Sequence, residues 1–480
     1  MSNHLFPSGF VWGAASSSYQ IEGAHEAGGR GPSVWDTFCQ KDGAVSGGQN
    51  GNTACDHYHL WRDDVRLMRS IGLHAYRLSI SWPRVMPDGS GATSAAGLAF
   101  YDALIDGLLD AGIEPWVTLF HWDYPYGLQC RGGWLNPDSP RWFAEYTQVI
   151  VDQLSDRVRN WMTINEPQIY IGMGHGDGTH APGLKLSLQD RLLASHHTLL
   201  AHGLSVQTIR AHAKLKPTIG WAPCGRIEYP AVENAANIEA ARQSTFSITG
   251  RDSWNNTWFA DPVCLGRYPE DGLALFGAAA PDVRDGDMET INQPLDFYGL
   301  NIYSGDPVTA GPGGTAHRET FPVGWPQTAM KWFVAPESLR WGARFMHERY
   351  GLPIVITENG MANLDWPDEE GNVRDPQRID YTRRYLLSLH QAILEGADVR
   401  GYFHWSIMDN FEWAEGYSKR FGLIHVDFAT MKRTLKDSAK WYAGVITSNG
   451  GDLAGHDQHD VPSVRVRTVN GMHPVAPEDA

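Results

Sequence analysis

The sequence predicts an α/β protein built as a single (β/α)8 barrel, and three observations carry that expectation. Short apolar runs alternate with longer amphipathic segments along most of the chain, the pattern of parallel βα units. Six clear strand candidates and two weaker ones make eight, the number at which this parallel sheet closes on itself. Polar residues gather where the candidate strands end, and in a barrel those ends share the face on which active sites are built. A doubly wound open sheet satisfies the first observation equally and stands as the structural alternative. At roughly 150 residues per domain, 480 residues would suggest about three domains. A barrel with elaborated βα loops absorbs that length, and no low-complexity linker interrupts the chain before residue 446. The expected division is a barrel over residues 1–446 and a polar tail over 447–480.

In chain order, FVWGAASSSYQ (10–20) is a strand that is weak on pattern, followed by a helical stripe around Trp61 to Met68. HAYRLSISW (74–82) is a clear strand that brings Ser81 to its end. Tyr101, Leu104, Ile105, Leu108 and Leu109 recur at i, i+3, i+4, i+7 and i+8, one face of a helix that Gly112 closes. EPWVTLFHW (114–122) ends at His121, and NWMTINEP (160–167) at Asn165 and Glu166. PTIGWAP (217–223) is the second weak strand; PLDFYGLNIY (294–303) carries Asn301 and Tyr303 at its end. A stripe from Leu339 to Phe345 leads into PIVITENG (353–360) with Glu358 and Asn359, and another from Tyr385 to Ile393 leads into GYFHWSIMDNF (401–411). Past Trp441 the chain turns polar, and its only ordered hint is the alternation of Val464 and Val466 with arginines.

Composition narrows the function. Hydrophobic residues at 42% and charged residues at 20% describe a globular chain. A formal charge of −16 repels polyanions, so no nucleic-acid or membrane partner is expected and the ligand sought is neutral or small. The cysteines Cys39, Cys55, Cys130, Cys224 and Cys264 are odd in number and widely spaced, which points to a reducing, cytoplasmic compartment. The N-terminal residues lack a basic and then apolar signal pattern, and no run of 18 apolar residues occurs, so neither secretion nor membrane spanning is expected. His57 with His59 and His196 with His197 lack a third ligand, and HExxH, Walker A and GxSxG are absent; no metal or cofactor is expected. GMGHGDG (172–178) follows NEP rather than opening a βαβ unit and reads as a loop near a site entrance. Nineteen tryptophans supply flat faces of the kind that suit the apolar sides of sugar rings.

Two glutamates carry the chemistry, Glu166 in TINEP and Glu358 in ITENG. Paired carboxylates about 5 to 5.5 Å apart split acetal hydrolysis into attack by one and protonation of the leaving oxygen by the other. An isolated glutamate at a loop is more often salt-bridged or solvated. The surrounding words decide between these readings. FPSGFVWGAASSSYQIEGA, YRLSISWPRVMP, VTLFHWDYP, TINEP, DPVCLGRYP, GLNIYS, VITENG and HWSIMDNFEWAEGYSKRFGLIHVDF follow one another from Phe6 to about Ile446, and in content and order they resemble glycoside hydrolase family 1, the β-glucosidase family.

The resemblance implies a retaining double displacement on β-glucosides and cello-oligosaccharides, with β-galactosidase or β-fucosidase side activity and a place in cellulose breakdown. Glu358 matches the nucleophile and Glu166 the acid/base; Arg77 and Tyr303 match positions that hydrogen-bond the nucleophile, and Asn165 the residue that holds the sugar 2-hydroxyl. Gln20, His121, Glu412 and Trp413 match the clamp on the glycone hydroxyls, Trp405 the platform under the ring, and Asn301 a supporting polar position. An anion at Glu412 disfavours a sugar 6-phosphate, although Tyr417, Ser418 and Lys419 follow it. Trp122, Gln168, Met173, His180, Trp325 and Trp332 are candidates for the aglycone side. Gln168 stands where a bulky aromatic is common and Lys331 where glycine is usual, so a more polar entrance is expected. A transglycosylase and a non-catalytic sugar-binding barrel are the alternatives; retention of both glutamates disfavours the second.

Overall fold

The computed structural model describes residues 4–454. Eight parallel strands form the barrel: β1 (Val11–Ala15), β2 (Ala75–Ser79), β3 (Glu114–Phe120), β4 (Asn160–Asn165), β5 (Thr218–Ala222), β6 (Tyr298–Asn301), β7 (Ile354–Asn359) and β8 (Val399–Trp405). They are paired in the order β5-β4-β3-β2-β1-β8-β7-β6. The remaining seam closes without a full ladder. The Asp296 N–H donates to the Ile219 oxygen at 2.8 Å and the Asn301 N–H to the Pro223 oxygen at 3.1 Å, and Cys224 bridges Asn301 in parallel. The barrel is therefore closed, and the open-sheet alternative is set aside.

Helices follow the strands: α1 (His57–Ile71), α2 (Ala95–Asp110), α3 (Ser139–Leu154), α4 (Leu188–His212), α5 (Ala235–Phe246), α6 (Thr257–Leu265), α7 (Glu337–Tyr350), α8 (Pro376–Leu394) and α9 (Asp437–Thr447). The four stripes read from sequence lie inside α1, α2, α7 and α8. The stretch expected as a glycine-rich loop is instead wound: Tyr170–Asp177 forms a wide π-helical turn soon after β4. Residues 447–453, expected in the polar tail, finish α9 and pack back on the N-terminal segment, with the Phe6 N–H donating to the Asn449 oxygen at 3.0 Å and Leu453 fully buried. Val464 and Val466 lie outside the described residues.

Two cores result. Outside the sheet, the helices pack on the outward strand residues in one continuous apolar layer. Inside it, a smaller cluster of Ala15, Ala75, Trp116, Met162, Phe297 and Phe403 with their neighbours plugs the lumen. Trp116 sits 5.3 Å from Phe297 and 5.1 Å from Phe403, ring centre to ring centre. This plug closes the barrel floor, so polar groups at the C-terminal strand ends face a pocket rather than a pore.

Candidate active site

A cavity of about 560 Å³ opens at the C-terminal ends of the strands, with Glu166 and Glu358 both in its wall. Glu358 is held from two sides. Its Oε1 accepts from the Arg77 Nη1 at 2.6 Å and its Oε2 from the Tyr303 hydroxyl at 2.6 Å. Arg77 is itself pinned, donating to the Thr118 hydroxyl at 3.1 Å, the Thr357 carbonyl at 3.0 Å and the Asn165 Oδ1 at 2.6 Å. With every guanidinium nitrogen engaged, the cation holds Glu358 in one orientation.

Glu166 leaves β4 with φ 42° and ψ 66°, a left-handed conformation that costs a residue with a side chain about 1 kcal/mol or more. Its N–H donates across to the Ala222 oxygen at 2.8 Å, and its Oε1 accepts from the Asn301 Nδ2 at 2.9 Å. Asn301 also donates to the Asn165 Oδ1 at 3.1 Å and accepts from the Thr357 hydroxyl at 2.6 Å. The two carboxyls thus share one polar network and differ in their neighbours. Burial pushes both above the usual carboxylate range, and the charge of Glu358 raises Glu166 further. Arg77 and Tyr303 draw Glu358 back down, so the proton of the pair resides on Glu166 and the charge on Glu358.

The inner half of the cavity is an aromatic and polar cup. His121 lies nearly parallel to Trp405 at 5.6 Å and to Trp413 at 6.0 Å. Burial and the nearby Arg77 keep His121 neutral; its Nε2 meets the Asn165 Nδ2 at 3.2 Å, and its Nδ1 has no partner among the described residues. Gln20 donates to Asn410, the Phe411 carbonyl and Glu412, the last at 3.2 Å, while Ser17 donates to its Oε1. Among the described residues no cation pairs with Glu412, and burial with the charge of Glu358 pushes its carboxyl up to about 8. Trp122 (φ 78°) and Trp413 (φ 50°) join Glu166 in the left-handed region, so three cavity-facing side chains are aimed by strained backbone. Tyr417 donates to the Asn50 carbonyl and Lys419 to the Ala329 carbonyl, so neither is directed at Glu412.

Trp122, Met173, His180 and Trp332 line the cavity. Two other candidates, Gln168 and Trp325, are not among the cavity's lining residues. Gln168 turns away to grip the Cys224 main chain, donating to its oxygen at 3.2 Å and accepting from its N–H at 3.3 Å. Trp325 packs on Phe321 and donates to the Val334 carbonyl, within its own loop and outside the cavity wall. Ile169, Ile227, Met330 and Phe421 add apolar surface to the cavity wall, and Arg226, Ser304 and Asp306 add polar surface. Lys331 holds φ 61°, a conformation glycine adopts freely, and is exposed while Trp332 beside it packs on Tyr303 at 5.2 Å.

Among the polar strand-end residues, Ser81 and Asn359 are structural. The Ser81 N–H donates to the Tyr101 hydroxyl, and Asn359 donates to the Ile302 carbonyl and accepts from Tyr402. Sequence reading missed Thr118 and Thr357, which brace Arg77, and Cys224, Arg226, Trp254 and Asp306, which line the cavity from the segments after β5 and β6. The only signal for Cys224 is its place just past a weak strand. The paired histidines are absorbed by the fold: His57 meets Asp64, and His196 meets Tyr268 and Asp287.

A buried carboxylate fixed by a cation and a phenol, facing a protonated carboxyl beneath an aromatic cup, is an arrangement for acetal chemistry. The family model for glycosyl hydrolase family 1 matches residues 2–451. The chain belongs to glycosyl hydrolase family 1. It is 43% identical over 452 residues to β-glucosidase A of Thermotoga maritima, covering 94% of this chain and 99% of that one. A bifunctional β-D-glucosidase/β-D-fucosidase of Bifidobacterium breve is 40% identical over 474 residues, with 93% and 99% covered. Among solved structures, the Thermotoga maritima β-glucosidase in complex with glucoimidazole superposes with a TM-score of 0.85 at 42% identity, over 93% of this chain and all of the other. No helix among the described residues is long and apolar enough to cross a membrane.

Proposed function

We propose that this family 1 chain is a retaining β-glucosidase in which Glu358 is the nucleophile and Glu166 the acid/base. The observation that carries the reading is the unequal treatment of the two carboxyls: Glu358 has Arg77 and Tyr303, and Glu166 has neither. Glu358 attacks the anomeric carbon while Glu166 gives its proton to the departing aglycone oxygen. Forming the glycosyl ester removes the charge on Glu358, which lowers the affinity of Glu166 for a proton, and Glu166 then takes one from the incoming water. Arg77 and Tyr303 keep Glu358 ionised and aimed. Asn165 meets the 2-hydroxyl, with Asn301 orienting both it and Glu166. Gln20, His121, Glu412 and Trp413 bind the remaining glycone hydroxyls over the Trp405 face.

The substrates are terminal β-D-glucosyl units of β-glucosides and cello-oligosaccharides, which puts the activity at the last stage of cellulose breakdown. Side activity on β-fucosides is supported by the bifunctional relative, and β-galactosides belong to the same reading. Five cysteines free of disulfides support a reducing compartment, the cytoplasm. The test is release of p-nitrophenol from its β-glucoside by the wild type and by Glu358→Gly, with azide added to the variant. Loss of turnover, restored by azide with an α-glycosyl azide as product, is the expected result. A β-glycosyl azide, or undiminished turnover, would reject the assignment of Glu358.

A further inference from the structure

The Tyr303 phenol reaches Glu358 from a main chain that has left the sheet. β6 ends at Asn301, and just past it the Ile302 N–H still donates to the Glu358 carbonyl at 3.0 Å. One residue on, the Tyr303 carbonyl is held by α8 instead: the Tyr381 hydroxyl donates to it at 2.8 Å and the Tyr385 hydroxyl at 2.9 Å. Tyr381 and Tyr385 lie one helical turn apart, both buried, with their rings stacked at 4.0 Å between centres. The direction of these bonds is fixed. The Ala335 N–H, which can only donate, meets the Tyr385 oxygen at 2.9 Å, and the Asn359 Nδ2 meets the Tyr381 oxygen at 3.3 Å. Each phenol therefore has its own proton left for the Tyr303 carbonyl. Asn359 follows Glu358 in β7, and its Nδ2 also donates to the Ile302 carbonyl at 2.8 Å. A closed circuit runs from Glu358 to Asn359, through Tyr381 to the Tyr303 carbonyl, and through the Tyr303 ring back to the Glu358 Oε2 at 2.6 Å.

Packing alone does not call for the two hydroxyls, since phenylalanine would fill the same stacked space. Two donors that converge on one carbonyl occupy both of its lone pairs and fix the peptide from which the Tyr303 side chain projects. We propose that Tyr381 and Tyr385 are positioning residues for the nucleophile, holding the Tyr303 phenol against Glu358 from α8. The proposal rests on the reading of Glu358 as the nucleophile. Neither tyrosine lines the cavity, so both act through Tyr303. Glu358 is faced by Arg77 from β2, Glu166 after β4, Cys224 after β5, Tyr303 after β6 and Glu412 after β8, and of these Tyr303 is the one whose main chain the pair holds. A donor held loosely supports a carboxylate less, so without the pair Glu358 keeps its proton to a higher pH.

The experiment measures kcat/KM for p-nitrophenyl β-glucoside against pH in four proteins: the wild type, Tyr381→Phe/Tyr385→Phe, Tyr303→Phe, and all three substitutions together. With Tyr303 present, removing the two hydroxyls should lower kcat/KM by about tenfold, the effect of one or two hydrogen bonds. The acidic limb of kcat/KM, which reports the carboxyl pair in the free enzyme, should move to higher pH. With Tyr303→Phe in place, the same removal should change kcat/KM by less than about twofold and leave the limb where Tyr303→Phe puts it, because residues that act through one another are not additive. A purely structural role would cost the same factor in both backgrounds. That result, or an acidic limb that stays in place when the hydroxyls are removed from the wild type, overturns the proposal. Tyr303→Phe with the rate and limb of the wild type would instead defeat the reading of Tyr303 and Glu358 beneath it. Circular dichroism checks folding; if the double variant does not fold, Tyr385→Phe alone enters the same comparison with an expected loss of about threefold.

Discussion

Glu166 and Glu358 are the same side chain at the ends of two barrel strands, both buried, and only their neighbours make them different. A guanidinium and a phenol favour charge on one; burial, and then the charge so held, favour a proton on the other. The division of labour has a kinetic signature. Glu166→Gln removes the donor but leaves Arg77, Tyr303 and Glu358 in place, so a leaving group that departs without protonation should be little affected in the first step. Turnover of cellobiose, whose leaving sugar needs the proton, should fall by about 10² to 10⁴, the usual contribution of acid catalysis. Single-turnover release from 2,4-dinitrophenyl β-glucoside and from cellobiose measures the contrast, and equal losses on both would contradict the role. Both glutamates stood out in the sequence because each sits in a short motif at a strand end, while their roles came from the resemblance of the surrounding words to family 1. Thr118 and Thr357 did not, since a buried threonine that orients an arginine looks like any strand residue.

At the scale of elements, six of eight strands announced themselves by pattern, and the two weak ones were weak for a packing reason. A Cβ on Gly13 of β1 would fall 2.5 Å from the Phe403 ring, and one on Gly220 of β5 would fall 2.5 Å from Phe297. These strands give up an apolar residue to make room for the rings that plug the lumen, and so lose the run that identifies a strand. The helix α4 escaped notice because its buried side includes Ser195, His196, His197, Thr198 and His202, polar groups among which His202 Nδ1 meets the Thr163 hydroxyl and His197 Nδ1 the Trp134 carbonyl. A close approach of the same kind as at Gly13 and Gly220 recurs at the site itself. Directly after β7, a Cβ on Gly360 would sit 1.8 Å from the Trp405 carbonyl oxygen. Gly360→Ala must therefore displace either the Trp405 platform or the strand that carries Glu358. Because both are walls of the cavity, and small misplacements of reacting groups are costly, the expected outcome is a fall in kcat/KM of about tenfold or more with the barrel still folded. Circular dichroism alongside kinetics on p-nitrophenyl β-glucoside checks it; an unaltered kcat/KM would mean that Trp405 tolerates the shift.

Across the whole molecule, the site is carried by a barrel that buries charge in two opposite ways. Under the loops after β7 and β8, Lys436 donates to Asp365 at 2.6 Å and to Asp409 at 2.7 Å, and Arg378 pairs with Asp365 and Asp375, so this buried set is compensated. Its cations hold Asp409 below the usual carboxylate range, so the stability it contributes is lost only as pH falls through that low value. Glu412 has no such partner among the described residues, and its folded value of about 8 exceeds its ordinary 4.5. Between those two values the folded state holds a proton that the unfolded state has released, so stability must decline as pH rises through that window. At about 1.4 kcal/mol for each pH unit of difference, the decline amounts to a few kcal/mol. Glu412→Gln keeps an acceptor for Gln20 and cannot ionise. Its stability relative to the wild type should therefore increase steadily from pH 5 to pH 8, while its KM for β-glucosides rises through loss of a glycone contact. Urea denaturation of both proteins at several pH values reads the first effect, and a difference that stays constant with pH would refute it. The residue proposed to bind sugar would then be shown to cost the empty barrel stability, in the direction expected when a carboxylate is kept for a ligand rather than for the fold.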